Sequence, residues 1–206
     1  MSYIFIHAIG QDSTNWNETI SYMSKANESV LCPNLFGLIE DKKATFENLY
    51  SAFVEYCKNI SQPLNLCGLS LGGIIALNYT IDYPEKVKSL VLIGTQYKIT
   101  KFLFTIQTVL FKISPKSVFE KMGLQKKDVL ELAYSMKNLD FSDKLETILC
   151  SALVICGAKD NPNKKSAEHL AKNIKNAKIK IIENAGHMVN VENPKGLALE
   201  LEAFYQ

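Results

Sequence analysis

The chain has 206 residues, of which 47% are hydrophobic and 21% charged, a composition typical of a globular domain and not of a disordered chain. Its 23 basic and 21 acidic residues leave a net charge of +2, which gives no basis for nucleic-acid binding. All of these basic residues are lysine, so a bidentate arginine clamp on a phosphate or carboxylate is excluded.

The cysteine and histidine content argues against a disulfide framework and a metal site. The five cysteines form no C-x-x-C pair, which favours buried, reduced thiols. The three histidines are too few and too scattered for a zinc cluster, so we expect neither a metal nor a cofactor. The N-terminus enters a strand without a charged leader, and no run of 18 apolar residues occurs. We therefore expect a cytoplasmic protein without integral membrane association.

Hydrophobic periodicity predicts strands and helices in alternation. The predicted strands cover residues 3–6, 29–32, 63–67, 87–93, 152–156 and 178–182. The predicted helices cover residues 14–25, 45–57, 71–82, 127–137, 166–174 and 194–205. This alternation predicts an α/β fold in three layers, with a mostly parallel sheet covered on both faces by helices. We expect one domain over residues 1–206.

The alternation is interrupted over about residues 95–140, where no strand is evident. This segment predicts a helical cap inserted into the domain, with a short helix over 115–122. Residues 101–113 are apolar nearly all round, so they either pack beneath the cap or line a pocket for an apolar group.

A serine flanked by glycines lies between the third predicted strand and the helix that follows it. Gly68 and Gly72 would leave room for a strained backbone at Ser70, and Gly73 would let the helix lie close to the sheet. Alone, this G-x-S-x-G pattern is a weak signal, since a glycine-rich turn can simply join a strand to a helix.

Two further polar residues follow strands that come later in the chain. Asp160 follows the strand 152–156, and His187 follows the strand 178–182. A serine hydroxyl needs an imidazole base, and the imidazole needs a carboxylate that fixes its tautomer. The order serine, acid, histidine is the order of that triad in α/β-hydrolases.

Each of these residues has a competing interpretation. Asp160 could cap a turn, and Asp140 or Asp143 could supply the acid, although both precede a strand instead of following one. His187 could be a core residue. His169 is expected on a helix surface, and His7 is expected to organise its loop.

Taken together, these motifs resemble the α/β-hydrolase superfamily, in particular its esterase- and lipase-like serine hydrolases with a small helical cap. The resemblance implies a sheet of about six parallel strands that lacks the family's first two, with strand 29–32 at an edge. It also implies an oxyanion hole formed by the N–H groups of Leu71 and Ile9. Ala8 stands where the family usually has glycine, and a methyl group there could alter the loop that carries Ile9.

The resemblance implies a serine esterase that forms an acyl-enzyme on Ser70 and cleaves a small-molecule ester with a small apolar acyl group. The same triad could act on a carbon–carbon, thioester or amide bond, and the scaffold could serve as a non-catalytic ligand-binding protein. We expect a monomer or homodimer.

Overall fold

The strands form one parallel sheet at the centre of the fold. The structure is a computed structural model that describes residues 2–24, 30–39, 42–60, 63–100, 104–105, 115 and 124–206. The strands are β1 (Ser2–Ile6), β2 (Val30–Leu31), β3 (Leu64–Leu69), β4 (Val87–Ile93), β5 (Ser151–Gly157) and β6 (Ala177–Ile182). They lie in the order β2-β1-β3-β4-β5-β6, and every neighbouring pair is parallel. The predicted sheet of about six parallel strands, with the second at an edge, is confirmed.

Helices cover both faces of this sheet, which gives the predicted three layers. They are α1 (Asn17–Ser21), α2 (Leu35–Leu38), α3 (Phe46–Lys58), α4 (Leu71–Asp82), α5 (Lys126–Met136), α6 (Asn161–Asn173), α7 (Val189–Glu192) and α8 (Pro194–Tyr205). Helices α3, α4 and α6 bury their apolar faces in one core, and α8 packs in a second core on the opposite side. Of the helices that the structure describes, none has the length and apolar character needed to cross a membrane.

The central strands are buried on both faces, which explains their continuous apolar sequences. β3 is buried along its whole length, and β4 is buried at every position except Lys88. Leu69 pairs with Ile93, and Ile93 pairs with Ile155, so the carboxyl ends of β3, β4 and β5 are nearly level. Residues that follow these strands therefore meet at one edge of the sheet, where ligands bind in open α/β folds.

Two predicted helices differ from the structure. In place of a helix over 14–25, a 3₁₀ turn over Ser13–Trp16 leads into α1, which ends at Ser21. The side chain of Asp12 accepts from the backbone of Thr14, so the capping starts the turn early. The helix predicted over 166–174 begins at Asn161, because Pro162 fits the first turn, where its missing N–H is not needed. The one-turn helices α2 and α7 are too short for hydrophobic periodicity to indicate them.

The insertion between β4 and β5 is anchored at its base. Lys98 and Asp140 form an antiparallel bridge, and the N–H of Ile99 donates to Leu139 O at 2.9 Å. Apart from positions 104, 105 and 115, the predicted apolar segment 101–113 and the predicted helix 115–122 lie outside the described residues. The assignment of one domain with a cap over 95–140 stays a prediction.

Candidate active site

Ser70 occupies a strained turn between β3 and α4. Its φ of 53° is in the left-handed region, which among the described non-glycine residues only Asn184 shares. The Ser70 N–H donates to Ile93 O at 2.9 Å, which ties the turn to the neighbouring strand. The Ser70 side chain makes no capping hydrogen bond to α4, so its hydroxyl is not used by the helix that it precedes.

The glycines around Ser70 are required by the close approach of backbone segments. A Cβ atom on Gly68 would overlap the carbonyl of Gly72, and a Cβ atom on Gly72 would overlap the carbonyl of Ile6. A Cβ atom on Gly73 would overlap the hydroxyl of Thr95. The turn that holds Ser70 is thus packed directly on the ends of β1 and β4.

His187 and Asp160 form a hydrogen-bonded pair. The distance from His187 Nδ1 to Asp160 Oδ2 is 2.8 Å, and the side chains are 34% and 3% exposed, respectively. Asp160 precedes α6, yet its carboxylate does not cap the backbone N–H groups of that helix, which leaves Oδ2 able to accept from the ring. With Nδ1 held by the carboxylate, Nε2 is the ring nitrogen left for base chemistry.

The turn after β4 adjoins both this pair and the segment that binds Ser70. Gly94 has a φ of +53°, and a Cβ atom there would lie 3.0 Å from His187 Nδ1 and 3.2 Å from Asp160 Oδ2. Gly94 follows Ile93, whose carbonyl accepts from the Ser70 N–H. The His187–Asp160 pair and the Ser70 turn therefore both lie at the carboxyl edge of the sheet.

The other candidates from the sequence lie elsewhere. Asp140 pairs with Lys98 at the base of the insertion, and the hydrogen bond from Lys98 lowers the pKa of Asp140 to about 2. His169 stacks on Tyr97 with 4.1 Å between ring centroids. Neither side chain is a partner of His187.

Glu192 braces the loop that carries His187, a contact that the sequence reasoning did not anticipate. Its Oε2 accepts from the Gly186 N–H at 2.8 Å, and its Oε1 accepts from the Met188 N–H at 3.0 Å. These N–H groups flank His187, so one carboxylate holds the backbone on both sides of the imidazole. A charged acceptor strengthens both hydrogen bonds.

The loop after β1 carries the predicted second oxyanion donor. Ala8 is buried and has no left-handed backbone, so its methyl group introduces no conformational strain of the kind that a glycine relieves. Ala8 O accepts from His7 Nδ1 at 2.8 Å and from the Gln11 N–H at 3.3 Å. Leu71 is the first residue of α4, where the backbone N–H has no acceptor within the helix.

A buried pair of amides connects this loop to the histidine loop. Gln11 Nε2 donates to Asn190 Oδ1 at 2.9 Å, and Asn190 Nδ2 donates back to Gln11 Oε1 at 3.2 Å. The two segments are 179 residues apart in sequence, so no local pattern could have indicated the contact.

The hydrogen bonds of His7 to its loop require the neutral form of the imidazole. The Leu35 N–H donates to His7 Nε2 at 3.1 Å, so Nδ1 carries the hydrogen that is donated to Ala8 O. Burial lowers the pKa of His7 from 6.5, although the hydrogen bond to Ala8 opposes this.

A His7→Asn variant should therefore change how stability depends on pH. Below about pH 6.5 the unfolded state binds more protons at His7 than the folded state does, so acidification lowers the free energy of unfolding. The slope from this group is at most about 1.4 kcal/mol per pH unit. We expect urea unfolding between about pH 5 and pH 8 to give a flatter profile for His7→Asn, with lower stability at neutral pH. Parallel profiles for the two proteins would contradict the role assigned to His7.

Known proteins resemble this chain over most of its length. A family described as the alpha/beta hydrolase fold matches residues 4–114. The monoacylglycerol lipase ABHD6 of Bos taurus is 23% identical, over 98% of this chain and 74% of its own. The (E)-2-((N-methylformamido)methylene)succinate hydrolase of Acinetobacter baylyi is 23% identical, over 98% of this chain and 89% of its own.

The fold is also found among solved structures. The structure of a thermophilic esterase from Thermogutta terrifontis matches with a TM-score of 0.79 and 20% identity, covering 100% of this chain and 89% of that one. At this identity the likeness establishes the fold. Because the family match extends over more than half of the residues, the chain belongs to the α/β-hydrolase family.

Proposed function

We propose that this protein is a serine hydrolase that cleaves a carboxylic ester through Ser70, His187 and Asp160. The observation that carries the proposal is the 2.8 Å hydrogen bond between His187 Nδ1 and Asp160 Oδ2, at the same sheet edge as the strained Ser70 turn. Binding alone needs no buried carboxylate aligned with a half-exposed imidazole. Acyl transfer needs both beside a nucleophile.

The first half of the reaction forms the acyl-enzyme. His187 Nε2 takes the proton from Ser70 Oγ while that oxygen attacks the ester carbonyl carbon, and the carbonyl π electrons move to the oxygen. Asp160 stabilises the imidazolium through the Nδ1 hydrogen bond and stays ionised. The protonated His187 then donates its Nε2 proton to the leaving alcohol, and the carbon–oxygen bond breaks.

The second half releases the acid. Water replaces the alcohol and gives a proton to His187 Nε2 as its oxygen attacks the acyl carbon. The second tetrahedral intermediate collapses, Ser70 Oγ recovers the proton, and the carboxylic acid leaves.

The developing oxyanion is assigned to the N–H groups of Leu71 and Ile9. The Leu71 N–H is at the positive end of the 12-residue helix α4, which favours negative charge there. Ala8 does not adopt a left-handed backbone, so alanine in place of the family's usual glycine does not strain the loop that carries Ile9. The unstrained loop supports the role of Ile9. Donors of this kind each contribute roughly 3–4 kcal/mol to transition-state stabilisation.

The surroundings favour an apolar acyl group. The side chains of Ile9 and Phe36 pack against Leu124 and Val129 of the insertion, so apolar surface adjoins the proposed oxyanion loop. The absence of arginine from the sequence removes the bidentate clamp that a carboxylate substrate would favour.

All five cysteines are free thiols, which supports the reducing, cytoplasmic location expected from the sequence.

A fluorophosphonate probe tests the proposal directly. We expect the folded protein to be labelled stoichiometrically on the peptide that contains Ser70, and neither Ser70→Ala nor heat-unfolded protein to be labelled. Failure of the folded protein to react would refute the serine hydrolase. If Ser70 is labelled, a series of p-nitrophenyl esters then measures the preferred acyl length. Labelling without ester turnover would favour the carbon–carbon, thioester or amide alternatives.

A further inference from the structure

Asn163 lies buried beside Asp160 and His187, although the reaction described above gives it no role. Its Nδ2 is 2.8 Å from Asp160 Oδ1 and 2.9 Å from Asp160 Oδ2. The same nitrogen is 3.1 Å from His187 Nδ1. Asn163 therefore touches both oxygens of the acid and the ring nitrogen that the acid holds.

The direction of the Asn163 amide follows from its other neighbour. Gln96 Nε2 lies 2.6 Å from Asn163 Oδ1 and donates to it. With its oxygen occupied by Gln96, the amide turns its NH₂ group towards the carboxylate. Turning the amide over would place its oxygen against both oxygens of Asp160.

These contacts indicate which ring nitrogen of His187 carries the hydrogen in the neutral form. The Asp160 carboxylate receives donors from Asn163 and from His187, an arrangement that suits an ionised group, which accepts at both oxygens. Asn163 Nδ2 is itself a donor and cannot accept from the ring. The only acceptor that the three side chains offer to His187 Nδ1 is therefore Asp160, and the Nδ1–H tautomer is the one that satisfies every group.

We propose that Asn163 is a positioning residue that acts through Asp160 to hold His187 as the Nδ1–H tautomer. The proposal rests on the proposed function for its catalytic consequence, but the tautomer itself can be measured without turnover. The buried Asp160 gains a second donor in place of water, and Gln96 keeps that donor pointing at it.

A simpler alternative is that Asn163 only ties α6 to the turn after β4 through Gln96. Ser166 offers a matched control, because it is buried on the same helix and its Oγ donates to Thr95 O at 2.8 Å. Ser166 therefore makes the same kind of connection without touching Asp160. If Asn163 only connects α6 to that turn, Ser166→Ala and Asn163→Leu should have similar effects on the tautomer of His187.

Nitrogen NMR of protein labelled with ¹⁵N-histidine separates these cases. The chain has only three histidines, so His7→Asn and His169→Gln variants complete the assignment. At a pH where His187 is neutral, we expect the wild type and Ser166→Ala to have the Nδ1–H tautomer. Asn163→Leu, which keeps side-chain volume but removes the donor, should contain a mixture of tautomers. A wild-type spectrum in folded Asn163→Leu would overturn the proposal.

Ester kinetics supply the second measurement. We expect Asn163→Leu to lower kcat by about 10- to 100-fold with KM within about twofold, because the change affects the base and not substrate binding. In an Asp160→Asn background the same substitution should cost less than about twofold, since its effect passes through the carboxylate. An equal loss in both backgrounds, or a change in KM alone, would contradict the proposal.

A variant of Gln96 gives an independent test if Asn163→Leu does not fold. Gln96→Ala keeps the Asn163 and His187 side chains that bond to Asp160 but removes the donor that orients the Asn163 amide. We expect a smaller shift towards mixed tautomers, and an unchanged His187 spectrum would count against the proposed relay. If folded wild-type protein fails to react with the fluorophosphonate, the esterase proposal falls while the NMR result still decides the role of Asn163.

Discussion

Replacing His187 with alanine should lower kcat for ester hydrolysis by roughly 10⁴- to 10⁶-fold, which corresponds to about 5–8 kcal/mol of lost transition-state stabilisation. In the proposed mechanism the imidazole is both the base that takes the proton from Ser70 Oγ and the acid that protonates the leaving alcohol, and alanine can do neither. The buried Asp160 would also lose its partner at 2.8 Å, but it has no proton-transfer role of its own. Steady-state assays with a p-nitrophenyl ester measure the loss of kcat.

The proposed triad also predicts how the losses of activity from single substitutions should combine. Ser70→Ala and the double variant Ser70→Ala/His187→Ala should fall to about the same residual rate, because residues that act as a unit are not additive. His169→Ala is the matched control, since this histidine stacks on Tyr97 and does not contact Asp160. Turnover near the wild-type rate in His187→Ala would remove His187 from the mechanism, and multiplied losses in the double variant would argue against a single catalytic unit.

Gly72→Ala is expected to cost a large part of the stability, on the order of 3–5 kcal/mol. A Cβ atom at this position would overlap the carbonyl of Ile6 and lie 2.8 Å from His7 O. Both obstacles are backbone atoms at the end of β1, which cannot move aside as a flexible side chain can. Because a domain of this size is stable by only about 5–15 kcal/mol, urea unfolding should detect a large shift or a failure to fold.

Gly37→Ala provides the control for this prediction. Gly37 is an exposed residue of α2, and the nearest atom to a Cβ there is Asn34 Cγ at 3.6 Å, an ordinary contact. The substitution should be neutral or stabilise by up to about 1 kcal/mol, because alanine loses less backbone entropy on folding. Equal unfolding midpoints for Gly72→Ala and Gly37→Ala would contradict the inference that the Ser70 turn packs tightly on β1.

The main elements of the fold could be predicted because they depend on local patterns. Strand β4 occupies the predicted residues 87–93, and α4 occupies the predicted 71–82. Continuous apolar runs and 3.6-residue periodicity are properties of neighbouring residues, so tertiary contacts add little to them. The errors occur at helix boundaries, where the side chain of Asp12 caps the turn that begins at Ser13 and where Pro162 lies in the first turn of the helix that begins at Asn161.

The contacts within the candidate site were less accessible to sequence reasoning. The sequence predicted that Asp160 follows a strand, but it left open whether the carboxylate only caps a turn. Glu192, Asn190 and Asn163 carry no signal that distinguishes them from the polar residues common at helix ends. Their importance depends on which atoms they meet, and each meets a group from another loop or from the far side of a turn.

The sequence by itself determined the parallel α/β architecture, the turn at Ser70 and the three candidate residues at strand ends, because glycine spacing and hydrophobic period act over a few residues. Only the tertiary structure decided that Asp160 and not Asp140 lies beside His187, that Ala8 adopts an unstrained backbone, and that Asn163 faces both oxygens of the acid. These outcomes depend on strand order and register, which set distances between segments that are far apart in the chain.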